Sequence, residues 1–324
     1  MRQNKELLLA RKVLTLYGFG NARIKKIRMG VANYNYLVIH RNEKYVLRRI
    51  TKTKKQLMNE FLFLDLLKED GFQYSLPVPL PTLNGELYIE LNGVVFWMYK
   101  YIEGDILERF HKKHVIQIAE MMAHYHSIIE NDPRFKRLNS RVYNPLMVIR
   151  ETKRLSKMKT KSRFFQLFSK YTNSLLSLLD KHIDYYMSLY ETLEKYPIHR
   201  DICPENLVFN NDRLVGIIDF DDATRFSYPF ISDFISFISY SFPKKRKYYV
   251  DIFLNEYNKH RRISTKEKKI LPFLGVIQAV EDINYEYWLY LNDRSRARIK
   301  SMNHRFLVGK WFSRFLGHGK GIWL

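Results

Sequence analysis

The chain has 324 residues, of which 46% are hydrophobic, so it can bury a large core and is too apolar to be intrinsically disordered. Its 55 Lys and Arg residues oppose 33 Asp and Glu, and the net charge of +22 favours polyanionic partners such as nucleotides, nucleic acid or an anionic membrane surface. The single cysteine, Cys203, excludes an intramolecular disulfide and a cysteine-cluster metal site, which suits a reducing compartment, and we expect a cytoplasmic protein.

The N-terminal segment has only a three-leucine apolar patch, and no later apolar stretch approaches the roughly 20 residues of a spanning helix, so we expect neither a signal peptide nor a transmembrane segment. Alternating hydrophobic runs then predict a three-stranded meander over residues 22–29, 36–40 and 45–50. Two Asn-Gly pairs at 84–85 and 92–93 mark tight turns, because Asn and Gly tolerate positive φ. These turns flank predicted strands over 87–91 and 94–99.

One helix is predicted between the third and fourth strands. Thr53 and Gln56 form a capping box at its start, and Gly71 ends it. Its apolar positions fall on a single stripe and comprise Leu57, Phe61, Leu64 and Leu67. The first hundred residues therefore predict a five-stranded antiparallel sheet with one inserted helix, the N-terminal part of an α+β fold.

Helical periodicity dominates after residue 100, over 114–129, in the basic stretch up to about 196, and over 264–291. One short hairpin interrupts it, with strands over 207–209 and 214–220. Polar residues flank this hairpin on both sides, His199-Arg200-Asp201 before it and Asp221-Asp222 after it. The sequence therefore predicts that ionisable side chains gather at the ends of an apolar hairpin.

The hairpin segment carries the chemistry that the residue types suggest. Asn206 and Asp219 offer an amide oxygen and a carboxylate, the hard ligands that Mg²⁺ prefers, and they leave room for phosphate oxygens. Asp201 lies five residues before Asn206, where it can accept a proton from a substrate hydroxyl. This Asp-x4-Asn spacing, with an Asp at the end of the following strand, is the spacing of the protein-kinase catalytic loop.

On the segments IHRDICPENLVF and LVGIIDFDDA, with Asp233 in YPFISDFISF, the chain resembles the aminoglycoside phosphotransferase and choline kinase family of small-molecule kinases. That family includes homoserine-kinase-like and spore-coat-kinase-like relatives. The resemblance covers roughly residues 15 to 290 and implies a two-lobed protein-kinase-like fold, with a nucleotide-binding lobe over 1–98 and a helical catalytic lobe over 99–324. Arg200 departs from the family's usual His-Gly-Asp loop.

The resemblance implies a role for each matching residue. Asp201 corresponds to the catalytic base, Asn206 and Asp219 to the ligands of Mg²⁺, and Asp233 to an acid that braces the catalytic loop. The resemblance also implies two positions for ATP. A hinge, whose backbone groups hold the adenine edge, comprises Met98, Tyr99 and Tyr101. A phosphate-binding turn contains Asn33 or Asn35.

The nucleotide-binding lysine of kinases has an arginine as its counterpart here. Aligning residues 45–48 with the kinase pattern Val-Ala-Ile-Lys places Val46 against the adenine and Arg48 at the lysine position. We expect Arg48 rather than Arg49 to face the nucleotide, with Glu60 of the inserted helix as its partner. A Walker-type phosphate loop is absent from the sequence, which excludes that class of NTPase.

The predicted function is transfer of the γ-phosphate of ATP to a hydroxyl of a small molecule. The alternative is a catalytically weak or inactive protein of the same fold with a binding or structural role, as in the spore-coat relatives. No specific nucleic-acid partner is expected, since only net charge favours one. Two alternatives stay open for the basic stretches around 150–170 and 244–247, which are either solvated faces or contacts for an anionic partner. The aromatic end over 301–324 either packs on the helical lobe or touches a membrane.

Two further groups of residues have structural and functional interpretations. Trp97, Trp288 and nearby tyrosines form either a cage for a quaternary amine or part of the core, and the core is favoured. His126 is expected to be a packing histidine rather than a metal ligand.

Overall fold

A computed structural model describes residues 2–27, 34–50, 52–138, 141–241, 246–294 and 297–317. Its N-terminal part is an antiparallel sheet of five strands in the order β1-β2-β3-β5-β4. The strands are β1 (Arg23–Ile27), β2 (Tyr34–His40), β3 (Glu43–Ile50), β4 (Ile89–Leu91) and β5 (Val94–Lys100). This arrangement confirms the predicted five-stranded sheet. Strand β5 continues two residues past the predicted lobe boundary at 98, and that boundary stays a prediction.

A helix covers each face of this sheet. The inserted helix α2 (Lys54–Glu69) begins at the predicted capping box, and its Leu57 and Phe61 pack against Trp97. The opposite face packs against α1 (Arg2–Leu16), a helix that the sequence analysis did not predict. The sheet is therefore buried on both sides, which fixes the direction of every side chain along β3 and β5.

Among the described residues the helical part contains nine α-helices, one 3₁₀ turn (Pro204–Asn206) and six short strands. The helices are α3 (Lys112–Asn131), α4 (Pro133–Arg137), α5 (Leu146–Ser156), α6 (Arg163–Leu179), α7 (Ile183–Glu191), α8 (Ile231–Ser241), α9 (Arg246–His260), α10 (Thr265–Asn292) and α11 (Ile299–Ser313). The strands are β6 (Asp105–Ile106), β7 (Arg141–Val142), β8 (Tyr196–Pro197), β9 (Leu207–Asn210), β10 (Arg213–Ile217) and β11 (Phe226–Tyr228).

Helix α2 also packs against the helical part of the molecule. The ring of Phe63 lies 5.3 Å from that of Phe135 and 5.9 Å from that of Phe220, the residue that follows Asp219. These buried contacts belong to the large core of the helical lobe. They place Glu60, which is one turn earlier on α2, close to the segment that carries Asp219.

The described part of the C-terminal aromatic segment packs on the helical core. Helix α11 lies against α10, where the ring of Phe312 faces Gly275 so closely that no side chain fits there. Met302, Val308 and Phe312 are buried in the main core, while Trp323 lies outside the described residues. No helix among the described residues combines the length and the apolarity needed to cross a bilayer.

Candidate active site

The hairpin of β9 and β10 brings its two ends together. The strands pair antiparallel from residue 207 to residue 217, with an irregularity between Leu214 and Gly216. Beyond the last pair, the amide of Ile218 donates to the carbonyl oxygen of Asn206 at 3.0 Å. Asn206, before the first strand, and Asp219, after the second, therefore lie side by side.

Asp201 joins this pair through the side chain of Asn206. The amide nitrogen of Asn206 donates to the Asp201 carbonyl oxygen at 2.8 Å and to its carboxylate at 3.0 Å. The amide oxygen of Asn206 is then the atom left to ligate a cation. Burial raises the pKa of Asp201 to about 6; His199 opposes this shift, and the carboxylates of Asp219 and Asp222 add to it.

Two buried side chains hold residues 199–206, the loop predicted to be catalytic and called the catalytic loop below. His199 bridges it to the hairpin, with Nε2 2.9 Å from the Ile218 carbonyl oxygen, while the amide of Asp201 donates to Nδ1 at 3.3 Å. The carboxylate of Asp233 on α8 accepts the amide of Arg200 at 2.6 Å. These bonds stabilise the backbone on both sides of Arg200, whose φ is +68°.

Arg48 reaches the hairpin from strand β3. In the register of β3 and β5 it lies opposite Trp97, on the sheet face that α2 covers. Its Nη2 is 2.9 Å from Asp219 Oδ1 and 3.2 Å from Asp221 Oδ1. Burial alone would lower the pKa of Arg48, but the carboxylates of Asp221 and Asp219 raise it, so the guanidinium stays charged. Arg49, on the other face, pairs with Glu6 of α1 at 2.6 Å.

The predicted pairing of Arg48 with Glu60 is wrong. The carboxylate of Glu60 contacts the ammonium of Lys52, which also lies 2.9 Å from Asp221 Oδ1. Strand β3 ends at Ile50, so Lys52 lies in the short connection to α2. From there its ammonium occupies the position beside the buried Glu60 that was predicted for Arg48. Sequence reasoning missed Lys52, and its only signal is its place between the strand end and the capping box.

The positions predicted for the rest of the nucleotide are divided between the two sheet faces. Val46 and Tyr99 pair across β3 and β5 on the face of Arg48, and burial raises the pKa of Tyr99 to about 12. Met98 points to the α1 side, where its carbonyl oxygen accepts the Leu80 amide at 2.7 Å.

Tyr101, the last predicted hinge residue, donates its amide to Lys44 O at 3.0 Å. The backbone groups that Met98 and Tyr101 use in these bonds therefore have partners within the protein. Asn33 lies outside the described residues. Asn35 lies opposite Arg48 in the sheet, and its Oδ1 is buried with no hydrogen-bond partner in the described part of the chain.

The remaining interpretations of single residues concern the core. His126 is buried, with Nδ1 2.7 Å from the Tyr257 hydroxyl and Nε2 3.1 Å from the Asp233 carboxylate. It thus braces the acid that holds the catalytic loop. Cys203 is buried, and burial raises the pKa of its thiol far above the ordinary value. Trp97 is fully buried, whereas Trp288 is partly exposed beside Tyr285.

Comparisons with known proteins identify the family of the chain. A sequence model of the phosphotransferase enzyme family matches residues 23–263. A homoserine kinase of Rhizobium meliloti (strain 1021) is 27% identical to the chain over 82% of this chain and 78% of that protein. A homoserine kinase of Agrobacterium fabrum (strain C58) is 26% identical over 82% of this chain and 80% of that protein.

Solved structures of small-molecule kinases share the fold. A spectinomycin phosphotransferase in complex with ADP and its substrate superposes with a TM-score of 0.68 at 16% identity, covering 98% of this chain and 96% of that one. A microcompartment-associated aminopropanol kinase superposes with a TM-score of 0.69 at 14% identity, covering 95% and 96%. The two-lobed kinase-like fold expected from the sequence is confirmed.

Proposed function

Because the chain belongs to the phosphotransferase enzyme family, it is an ATP-dependent kinase of small molecules, and we propose that its acceptor is a hydroxylated amine or amino acid of the homoserine type. The observation that supports the phosphotransfer chemistry is the meeting of Asp201, Asn206 and Asp219 at one end of the hairpin, beside the buried cation of Arg48. The homoserine kinases among the relatives support this class of acceptor.

The chemistry of the donor set fits Mg²⁺. Asn206 contributes an amide oxygen and Asp219 a carboxylate, both hard ligands, and they lie next to each other at the end of the hairpin. We propose that these two residues hold the cation. When bound, Mg²⁺ neutralises charge on the phosphate oxygens that it contacts.

The lobes divide the remaining work between them. In this proposal the lobe over 1–98 binds the phosphates through Arg48 and Lys52, and Glu60 fixes the position of Lys52. Burial raises the pKa of Glu60, and the Lys52 ammonium beside it opposes this rise. The lobe over 99–324 supplies Asp201, which orients the acceptor hydroxyl for in-line attack and takes its proton.

The raised pKa of Asp201 suits the role of base. A carboxylate with a pKa of about 6 is ionised at neutral pH yet is more basic than an exposed aspartate. Its bond to the Asn206 side chain fixes its direction without using both of its oxygens. No side chain or backbone donor among the described residues contacts the second oxygen, so an acceptor hydroxyl can bind it.

The test is release of ADP by the purified chain with ATP, MgCl₂ and a panel of hydroxylated amines and amino acids. Asp201→Ala should lower kcat by about 10²–10⁴, the usual contribution of a general base. Asp184→Asn removes an equal charge from an exposed site on α7 and should leave turnover unchanged. Near-normal turnover by D201A would reject the role of this residue.

A further inference from the structure

Three side chains that can ligate a metal ion lie together where α3 and α9 pack against each other. They are Glu120 of α3 and Glu256 and His260 of α9, and one ligand atom from each lies within 4.8 Å of the other two. Glu256 and His260 are four residues apart, so they lie on the same face of α9. None of the three belongs to the proposed phosphotransfer site, so the cluster needs an explanation of its own.

The pair on α9 already has the spacing of two zinc ligands. His260 Nε2 is 3.4 Å from Glu256 Oε1. Two ligands of a tetrahedral zinc ion, each bound at about 2.05 Å, are about 3.4 Å apart. The other carboxylate oxygen, Glu256 Oε2, lies 2.7 Å from the ammonium of Lys259. A single ion can therefore bind Oε1 and the imidazole while Lys259 stays on Oε2.

Glu120 brings a second carboxylate to this pair without a partner of its own. Among the residues that the structure describes, none donates a hydrogen bond to its side chain or forms an ion pair with it. Its side chain is partly exposed, so it can rotate towards an ion. Two carboxylates this close repel each other, and the packing of α3 on α9 nevertheless keeps them together. A divalent cation between them would turn this repulsion into attraction.

The mixture of ligands selects the class of ion. Mg²⁺ and Ca²⁺ prefer sites made of oxygen ligands alone. An imidazole nitrogen beside two carboxylate oxygens suits zinc and similar divalent transition-metal ions. Three protein ligands leave the fourth tetrahedral position of zinc to water, and His260 is exposed, so water reaches the cluster.

We propose that Glu120, Glu256 and His260 form a zinc site that joins α3 to α9. The inference goes beyond the proposed function, because it uses none of the residues assigned to ATP, Mg²⁺ or the acceptor. The same two helices also meet at the hydrogen bond between His126 and Tyr257. A bound ion therefore stabilises the contact between two helices that pack behind the catalytic loop.

The experiment measures thermal unfolding of the full-length chain with and without ZnCl₂, at about pH 7.5, where imidazole can bind metal. We expect free zinc at about ten times its dissociation constant to raise Tm by about 2 °C. This value combines the stabilisation that a ligand of the folded state gives with the entropy of unfolding expected for a chain of this length. Titration calorimetry then gives the stoichiometry and the affinity.

Glu120→Gln is the most informative variant. The carboxylate that it removes has no other partner in the described part of the chain, so Tm without zinc should be unchanged or higher while the zinc-dependent shift is lost. His260→Ala should lose the shift as well. Asp184→Asn removes an equal charge from an exposed site on α7 and should keep the full shift.

Lys259→Ala should have the opposite effect on zinc affinity. Its ammonium competes with the ion for the charge of Glu256, so removing it should tighten zinc binding about two- to fivefold, the range of an exposed ion pair. If these residues form only a network of ion pairs, Lys259→Ala leaves zinc binding as it was. An unchanged or weaker affinity would therefore count against the site.

Two further outcomes would overturn the proposal. One is the lack of any zinc-dependent shift in the wild type, and the other is an equal shift in the wild type and in Glu120→Gln, which would mean that zinc binds elsewhere. Asp219→Asn, which removes a proposed Mg²⁺ ligand, separates the two sites. It should keep the zinc-dependent shift whether or not it keeps kinase activity, and loss of the shift would assign the zinc to the phosphotransfer site instead.

Discussion

Replacing Arg200 should reverse the usual order of stability between alanine and glycine. The residue has a φ of +68°, a conformation that costs an L-residue about 1–2 kcal/mol and costs glycine nothing. Glycine also loses roughly 0.5–1 kcal/mol of conformational entropy relative to alanine on folding. The difference leaves Arg200→Gly more stable than Arg200→Ala by about 0.5–1 kcal/mol.

Both variants should be less stable than the wild type, because the arginine side chain is well packed. Its guanidinium is 2.9 Å from Glu281 Oε2, 3.1 Å from Ser236 Oγ and 4.7 Å from the centre of the Tyr228 ring. A charge-assisted hydrogen bond contributes about 1.5–3 kcal/mol and a cation–π contact about 0.5–2 kcal/mol. We expect Arg200→Ala to lose roughly 2–4 kcal/mol, given the partial exposure of Glu281.

Urea unfolding of the two variants measures this order directly. The matched pair is Lys153→Gly and Lys153→Ala on α5, an exposed helical site outside the left-handed region, where alanine should be more stable by about 1 kcal/mol. If Arg200→Ala proves as stable as Arg200→Gly or more so, the left-handed backbone is not what the loop requires. The ion pair and the ring contact would then be the whole of the residue's contribution.

Three other predictions concern the phosphate site, the histidine and the core. Glu60→Gln should raise the KM for ATP about tenfold by releasing Lys52, which steady-state kinetics at varied ATP will detect, and an unchanged KM would argue against the pair. Burial lowers the pKa of His126 below 6.5, so the unfolded chain binds this proton at a higher pH than the folded chain does. The free energy of unfolding should therefore fall as the pH drops below 6.5. This pH dependence should be shallower in His126→Gln. Gly275→Ala places a Cβ 2.3 Å from the Phe312 ring and should cost roughly 1–3 kcal/mol in urea unfolding, whereas no loss would mean that α11 moves freely.

The sequence was sufficient where structure follows from local pattern. The alternation of strands, the capping box at Thr53 and the Asn-Gly turns predicted the sheet and its inserted helix, because each depends on residues close together along the chain. Helix α1 was not predicted, because only a narrow stripe of it is buried. This stripe comprises Ala10, Val13 and Leu14, whereas Leu8 is 60% exposed. A short apolar stripe among charges carries a weak periodic signal.

The partners of buried charges could not be predicted in this way. Lys52, Lys54 and Lys55 are equivalent in the sequence, and only the path of the chain after β3 decides which of them reaches Glu60. The contacts of Arg305 on α11 show the same limit. Its guanidinium contacts Asp282 of α10 and the ring of Tyr240 on α8, and no spacing rule joins these three helices.

Helix α8 links the loop that carries Asp201 to the core of the helical lobe. Its first turn holds the Arg200 amide through Asp233, and its second binds the Arg200 carbonyl through Ser236. A helix is stiff over two turns, so a shift of α8 should move this loop with it. Substitutions that loosen α8 should therefore lower kcat through the position of Asp201, the proposed base, whereas Asp184→Asn on α7 should leave kcat unchanged.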